Sequence, residues 1–278
     1  MIMDTKPKTF SDLLQISGLS HGTGIWLGNG DELIKSGTAT IKEIIGTRDD
    51  IMVFLMHKGV DSSMAFKIME SVRKGKGLTP EMEEAMRAKN VPEWYIGSCK
   101  KIKYMFPKAH AAAYLMAALR IGWFKVHYPV EYYASYFTVK SDNFDGQLVM
   151  QGPEAVRKKL EELENLTDPT PKDEDTIVFL QIAAEMLARG IEFLPVDIYK
   201  SEAFAFVPEN GKIRLPLTAL NGLGAKAAEN IYNAIHSGKV RTLEDLKTEA
   251  GLNKTVIEIL KQNNCLGDLP ESDQISMF

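Results

Sequence analysis

The sequence predicts a mainly α chain whose helical N-terminal part is followed by a small α+β region. Three observations point there. Helix-start signals recur along the first half, each followed by apolar residues at helical spacing. Residues Ala203 to Leu217 alternate in polarity around Asn210-Gly211, the signature of a β-hairpin. Gly222-Leu223-Gly224, followed by an apolar helical pattern, marks two helices joined by a tight hairpin. At 278 residues the chain suits one large or two smaller domains. Its 45% hydrophobic and 25% charged residues are those of an ordinary globular protein.

Taken in order, Thr9 and Asp12 make a capping box for a short helix that Gly18 closes. Ser20-His21-Gly22-Thr23-Gly24 is a glycine-punctuated loop. Thr40 and Glu43 cap a second short helix through Ile44-Ile45, ended by Gly46. Asp50 is placed to N-cap a helix from Ile51 to Lys58, and Asp61 or Ser62 to cap the next, which runs to Lys74. Arg48 stands beside Asp49 and Asp50, where it can form an ion pair or present its guanidinium fork to a phosphate. Thr79-Pro80-Glu81 starts a helix toward Asn90, and Pro92 opens another that Pro107 stops.

The stretch Lys100–Tyr114, K-K-I-K-Y-M-F-P-K-A-H-A-A-A-Y, organises the chain. No acid occurs from Trp94 to Val130, in a protein whose formal net charge is −4. Lys100 and Lys103 are expected on one helix face, and Lys108 and His110 in the first turn of the helix after Pro107. Free backbone N–H groups and the helix dipole favour an anion in such a turn. Beyond Pro129, Tyr132, Tyr133, Tyr136 and Phe137 form an amphipathic core stripe rather than a stacking platform. Glu154 to Leu166 and Thr176 to Ala188 read as helices of an acidic, solvent-facing spacer.

Leu220-Asn221-Gly222-Leu223-Gly224-Ala225-Lys226 matches a helix-hairpin-helix. Its glycines let the backbone approach a phosphate, the next helix aims its N–H groups there, and Lys226 adds charge. Such contacts hold DNA without reading its sequence. Asn253 to Cys265 reads as a second copy lacking the glycine hairpin. Cys99 and Cys265 have no C-x-x-C spacing, which points to reduced thiols and a cytoplasmic setting. The D-x-D at Asp173-Glu174-Asp175 falls in the acidic spacer and is set aside as a metal site; no metal site is assigned.

Tyr104 to Tyr114, continued by Trp123-Phe124-Lys125-Val126-His127-Tyr128-Pro129, resembles the fingers domain of bacterial DNA polymerase III α subunits, closest to the PolC type. The resemblance runs from Thr9-Phe10-Ser11-Asp12 to Gln274-Ile275-Ser276-Met277-Phe278. It implies fingers over 1–150, a helical spacer over 151–190, a duplex-binding helix-hairpin-helix region over 191–268 and a flexible tail over 269–278. It also implies that the chain is the C-terminal portion of a replicative polymerase, with Met1 an artificial, split or alternative start. The palm carboxylates that hold magnesium would lie elsewhere, leaving no catalytic residue here and the isolated chain inactive. Arg48, Lys100, Lys103, Lys108, His110 and, less directly, His21 would face the triphosphate of a deoxynucleotide. In this family an acid follows H-G-T, and Gly24 replaces it. Gly222, Gly224 and Lys226 would hold primer–template DNA. Gln274, Ile275, Met277 and Phe278 resemble a sliding-clamp pentapeptide, with Met277 where leucine is usual. The alternative is a non-enzymatic adaptor tethering the sliding clamp to DNA, which would need only residues 190–278.

Overall fold

The structure, a computed structural model, describes residues 1–140 and 145–272. The chain divides into two compact units, Met1–Ile121 and Gly122–Phe278. Among the described residues no helix is long and apolar enough to cross a membrane.

The first unit is helical: α1 (Ile2–Thr5), α2 (Phe10–His21), α3 (Asp31–Lys35), α4 (Arg48–His57), α5 (Ser62–Arg73), α6 (Pro80–Arg87), α7 (Glu93–Lys101) and the start of α8 (Lys108–His127). Its core gathers Leu19, Ile25, Ile45, Ile51, Leu55, Ile68, Val72, Met86, Tyr95, Ile102 and Met105. Thr9 and Asp12 cap α2 reciprocally, and Asp61 caps α5 by accepting from the N–H groups of Ser63 and Met64. Several boundaries depart from the sequence expectation. Gly18 does not close α2. It lies within the helix because a Cβ there would stand 2.5 Å from the Gly46 carbonyl oxygen, so glycine serves close packing. Thr40 and Glu43 do exchange bonds, with the Thr40 N–H donating to Glu43 at 2.8 Å, but they cap a turn and not a helix. The N-cap of α4 is Thr47; Asp50 sits three residues inside and accepts the N–H groups of Gly46 and Thr47 at 3.2 and 2.8 Å.

The largest departure precedes Pro107. Helix α7 stops at Lys101, six residues before the proline, and residues 102–106 run without helix. Ile102 and Met105 are buried there, and Tyr104 bridges to Thr23: the Thr23 N–H donates to the Tyr104 carbonyl at 3.0 Å, and the Lys103 N–H to the Thr23 carbonyl at 2.9 Å. Lys103 is therefore not on the helix face of Lys100. Burying Ile102 and Met105 together with these tertiary bonds outweighs continued helix.

The second unit holds α9 (Pro129–Val139), α10 (Gly146–Met150), α11 (Pro153–Glu164), α12 (Pro171–Ala188), β1 (Phe193–Leu194), β2 (Val207–Glu209), β3 (Lys212–Arg214), α13 (Ala225–His236), α14 (Leu243–Glu249) and α15 (Lys254–Gln262). The sheet order is β1-β3-β2, with β1 parallel and β2 antiparallel to β3. Asn210 and Gly211 take φ of 51° and 79°, as a two-residue hairpin turn requires. Tyr133 and Phe137 are buried in the core, in keeping with the stripe read from the sequence. The segment 151–190 is not a solvent-facing spacer: Val156, Leu163, Phe179, Leu180, Ala183 and Met186 join the core that also holds Ile213, Ile231 and Leu246. Its charge covers only the outer faces of α11 and α12.

Candidate nucleotide and DNA interface

In the first unit, the basic run is neutralised by acids distant in sequence. Lys100 pairs with Glu83 at 2.7 Å, Lys101 with Glu32 at 3.1 Å and Lys108 with Asp50 at 2.8 Å. The hydrogen bond from Lys100 holds the Glu83 carboxyl below the usual carboxylate range. At the N-terminus of α8, the Lys108 N–H donates to Asp49 at 2.7 Å. The anion favoured by that helix end is thus supplied by the chain itself. Two expected nucleotide-site residues, Arg48 and Lys103, have side chains with no hydrogen-bond or ion-pair partner among the described residues. The Arg48 N–H donates to the Phe106 carbonyl at 3.3 Å, which draws the start of α4 to the same segment.

His21 and His110 meet through a ring that sequence reasoning did not single out. Phe106 lies 5.2 Å from His21 and 5.1 Å from His110, and Tyr114 lies 5.0 Å from His110. His110 and Tyr114, four apart on α8, share a helix face and could have been paired from the sequence; Phe106 lies before the helix, so only the tertiary structure places it against them. Gly24, the departure from the family pattern, has φ +72°, and a Cβ there would lie 2.3 Å from the Lys101 carbonyl oxygen. That position is held for glycine by the backbone beside it.

In the second unit, Gly222 takes φ +86°, a conformation L side chains rarely adopt, and Leu220 and Leu223 anchor the hairpin in the core. Gly224 is the N-cap of α13 and brings no side-chain oxygen to the helix end. The first N–H groups of α13 are left to an external acceptor. Among the described residues Lys226 pairs only with Glu229, at 2.9 Å, its own side chain largely exposed. The second copy does contain a glycine hairpin, contrary to the sequence expectation. Gly251 takes φ +62°, Leu252 is buried and Asn253 caps α15, matching Gly222, Leu223 and Gly224 position for position. The difference lies at the cap: the Asn253 side chain accepts from the Val256 N–H at 2.9 Å, so this helix end satisfies itself.

Both thiols are buried, and burial pushes Cys99 and Cys265 up to about 12, which leaves them inert at neutral pH. Among the described residues no group of three or more His, Cys, Asp or Glu could hold a metal ion. Asp173 instead caps α12, accepting from the Thr170 N–H at 3.0 Å. Gln274, Ile275, Met277 and Phe278 lie outside the described residues.

Residues 1–91 match the model of the bacterial DNA polymerase III alpha subunit finger domain, and residues 190–274 match that of the helix-hairpin-helix motif. The first match ends before Lys100, Lys103, Lys108 and His110. Over its whole length the chain is 53% identical to DNA polymerase III PolC-type of Halalkalibacterium halodurans and 50% identical to those of Thermotoga maritima and Bacillus subtilis. It spans about a fifth of the length of these curated relatives: 20%, 20% and 19% respectively.

The two hairpin glycines differ in a way that stability measurements resolve. Gly222→Ala should lose roughly 1–2 kcal/mol, because a left-handed backbone is strained for any Cβ and the new atom would stand 3.1 Å from Ile259. Gly224 has an ordinary φ of −71° and open space where a Cβ would go, so Gly224→Ala should unfold at the wild-type urea concentration. Equal losses in the two variants would refute this account of the hairpin.

Proposed function

The chain is homologous over its whole length to a portion of PolC-type DNA polymerase III, and on that premise we propose that it performs the fingers and duplex-binding work of such an enzyme. The observation that carries this reading is the conjunction of a fingers-domain match with a hairpin whose helix end is left uncapped. An adaptor would have no need of the fingers segment. The carboxylates and magnesium ions for phosphoryl transfer would come from the rest of the polymerase, and the compartment of such an enzyme is the cytoplasm.

In this reading Gly222 shapes the hairpin and Gly224 lets its backbone approach a phosphate of the primer–template. Lys226 adds a charge contact. An exposed ion pair such as Lys226–Glu229 is worth only about 0–1 kcal/mol, so it yields readily to a phosphate. The same comparison applies in the first unit. The Lys100 and Lys108 ammonium groups are themselves about half exposed, and a charge-assisted bond to phosphate contributes roughly 1.5–3 kcal/mol. An incoming triphosphate would draw these lysines away from Glu83 and Asp50. Arg48 and Lys103 would meet it without first giving up an ion pair, and His110 and His21 would border it through the Phe106 cluster. The tail Gln274, Ile275, Met277 and Phe278 would tether the polymerase to a sliding clamp.

Three measurements test these assignments. Gly224→Val should weaken binding to primer–template duplex equally across unrelated sequences, and Lys226→Ala should reduce the salt slope of log K by about 0.9. Normal duplex binding by a folded Gly224→Val chain would reduce the hairpin to a structural turn. In the full polymerase, Lys108→Ala should weaken the incoming nucleotide by roughly tenfold to a hundredfold in KM, and an unchanged KM and kcat would remove Lys108 from the site. A peptide spanning Asp273 to Phe278 should bind a bacterial sliding clamp, with Phe278→Ala costing at least ~2 kcal/mol. Equal affinity of both peptides, or none, would rule the tail out.

A further inference from the structure

A cavity of about 540 Å³ opens in the first unit between α2, the turn around residues 38–44, α4 and the start of α7. None of the assignments above explains it beyond the Lys108–Asp50 pair at its edge. Its apolar wall is aromatic: Phe54 is stacked on buried Tyr95 with ring centroids 4.1 Å apart, and Trp94 stands edge-on beside Tyr95 at 5.4 Å. Three carboxylates also line it, and each is turned to an internal task. Asp12 accepts from the Lys8 and Thr9 N–H groups, Glu43 from the Thr40 N–H and hydroxyl, and Asp50 from Gly46, Thr47 and Lys108. The exposed cations on the rim are not matched in this way. Lys42 and Lys58 have no carboxylate within ion-pair distance among the described residues, and the Lys58 ammonium stands 5.6 Å from the Phe54 ring centre.

Aromatic surface flanked by cations outside ion-pair distance of any described carboxylate is the arrangement that holds an unpaired base and its phosphates without reading sequence. A volume within the roughly 300–1,000 Å³ of small-ligand pockets admits one splayed nucleotide, whereas paired bases stay locked in their stack. We propose that this cavity takes one unstacked base of single-stranded DNA, the base against Trp94 and Phe54 and the flanking phosphates on Lys42 and Lys58. The inference rests on the polymerase reading only for the source of the strand, the unpaired template ahead of the primer end. The contacts themselves belong to the cavity and are measurable on the 278-residue chain.

The experiment follows the anisotropy of a labelled single-stranded oligothymidylate and, in parallel, of a labelled duplex. The paired substitution Lys42→Glu with Lys58→Glu should weaken the single strand at least tenfold and leave duplex affinity unchanged. Replacing both lysines by alanine should lower the salt slope by about 1.4, the value for two phosphate contacts on a single strand. Trp94→Phe, which keeps a stacking face, should retain most of the affinity that Trp94→Ser loses. If Trp94→Ser does not fold, the lysine variants decide alone. Wild-type single-strand affinity and salt slope in the lysine variants would overturn the proposal. So would thymidine triphosphate binding as tightly as the oligonucleotide with the same loss in the variants, which would make the cavity a free-nucleotide pocket. Loss of duplex binding in the hairpin variant alone would bear on the polymerase reading and not on this cavity.

Discussion

Two adjacent carboxylates set the geometry of the first unit. Asp50 holds the N–H groups of Gly46 and Thr47 and the ammonium of Lys108, while Asp49 accepts the Lys108 N–H. Between them they cap α4 and join its start to that of α8, more than fifty residues along the chain. The Arg48 N–H to Phe106 carbonyl bond runs beside this junction. The segment carrying Phe106, Lys108 and His110 therefore cannot be placed without the start of α4. Negative charge near helix N-termini is favourable, and here one short acidic pair serves two of them.

This junction changes the meaning of the basic run. A stretch of 37 residues without an acid, 94–130, suggests an electropositive strip when read as a line. In three dimensions Lys100, Lys101 and Lys108 each face a carboxylate from another helix or turn. What distinguishes the site is the exchangeability of its charge. Each ammonium is about half exposed while Glu83 and Asp50 are largely covered, and under the proposed function a polyphosphate with several oxygens would compete with these single carboxylates for the same ammonium groups.

The hairpins of the second unit make a similar contrast between two nearly equivalent backbones. Gly222 and Gly251 both take a left-handed turn and both are followed by a buried leucine. One next residue is Gly224, with nothing to offer the helix end. The other is Asn253, whose side chain fills it. A helix end without a side-chain cap and a self-satisfied one thus differ by a single side chain. The larger helical region before them, α11 and α12, belongs to the same core, because an amphipathic helix buries its apolar face wherever a sheet and neighbouring helices provide one.

Local chemistry alone determined the mainly α class, the capping of α2, α5 and α6, the Asn210-Gly211 turn and the hairpin at Gly222. Each of these depends on residues within a few positions, where a side chain meets its own backbone. The quoted motifs likewise carried the family, since long ordered identities survive without coordinates. Tertiary structure alone decided that α7 ends at Lys101, because the core that buries Ile102 and Met105, and Thr23, which bonds to this segment, come from elsewhere in the unit. It decided that Gly18 is a packing contact against Gly46, that Lys100, Lys101 and Lys108 are paired, and that α11 and α12 bury one face in the core. It brought His21 to Phe106 and His110, and it opened the cavity beside Trp94. In every one of these cases the deciding partner is far away in sequence, so its position depends on how the helices pack and not on any local pattern.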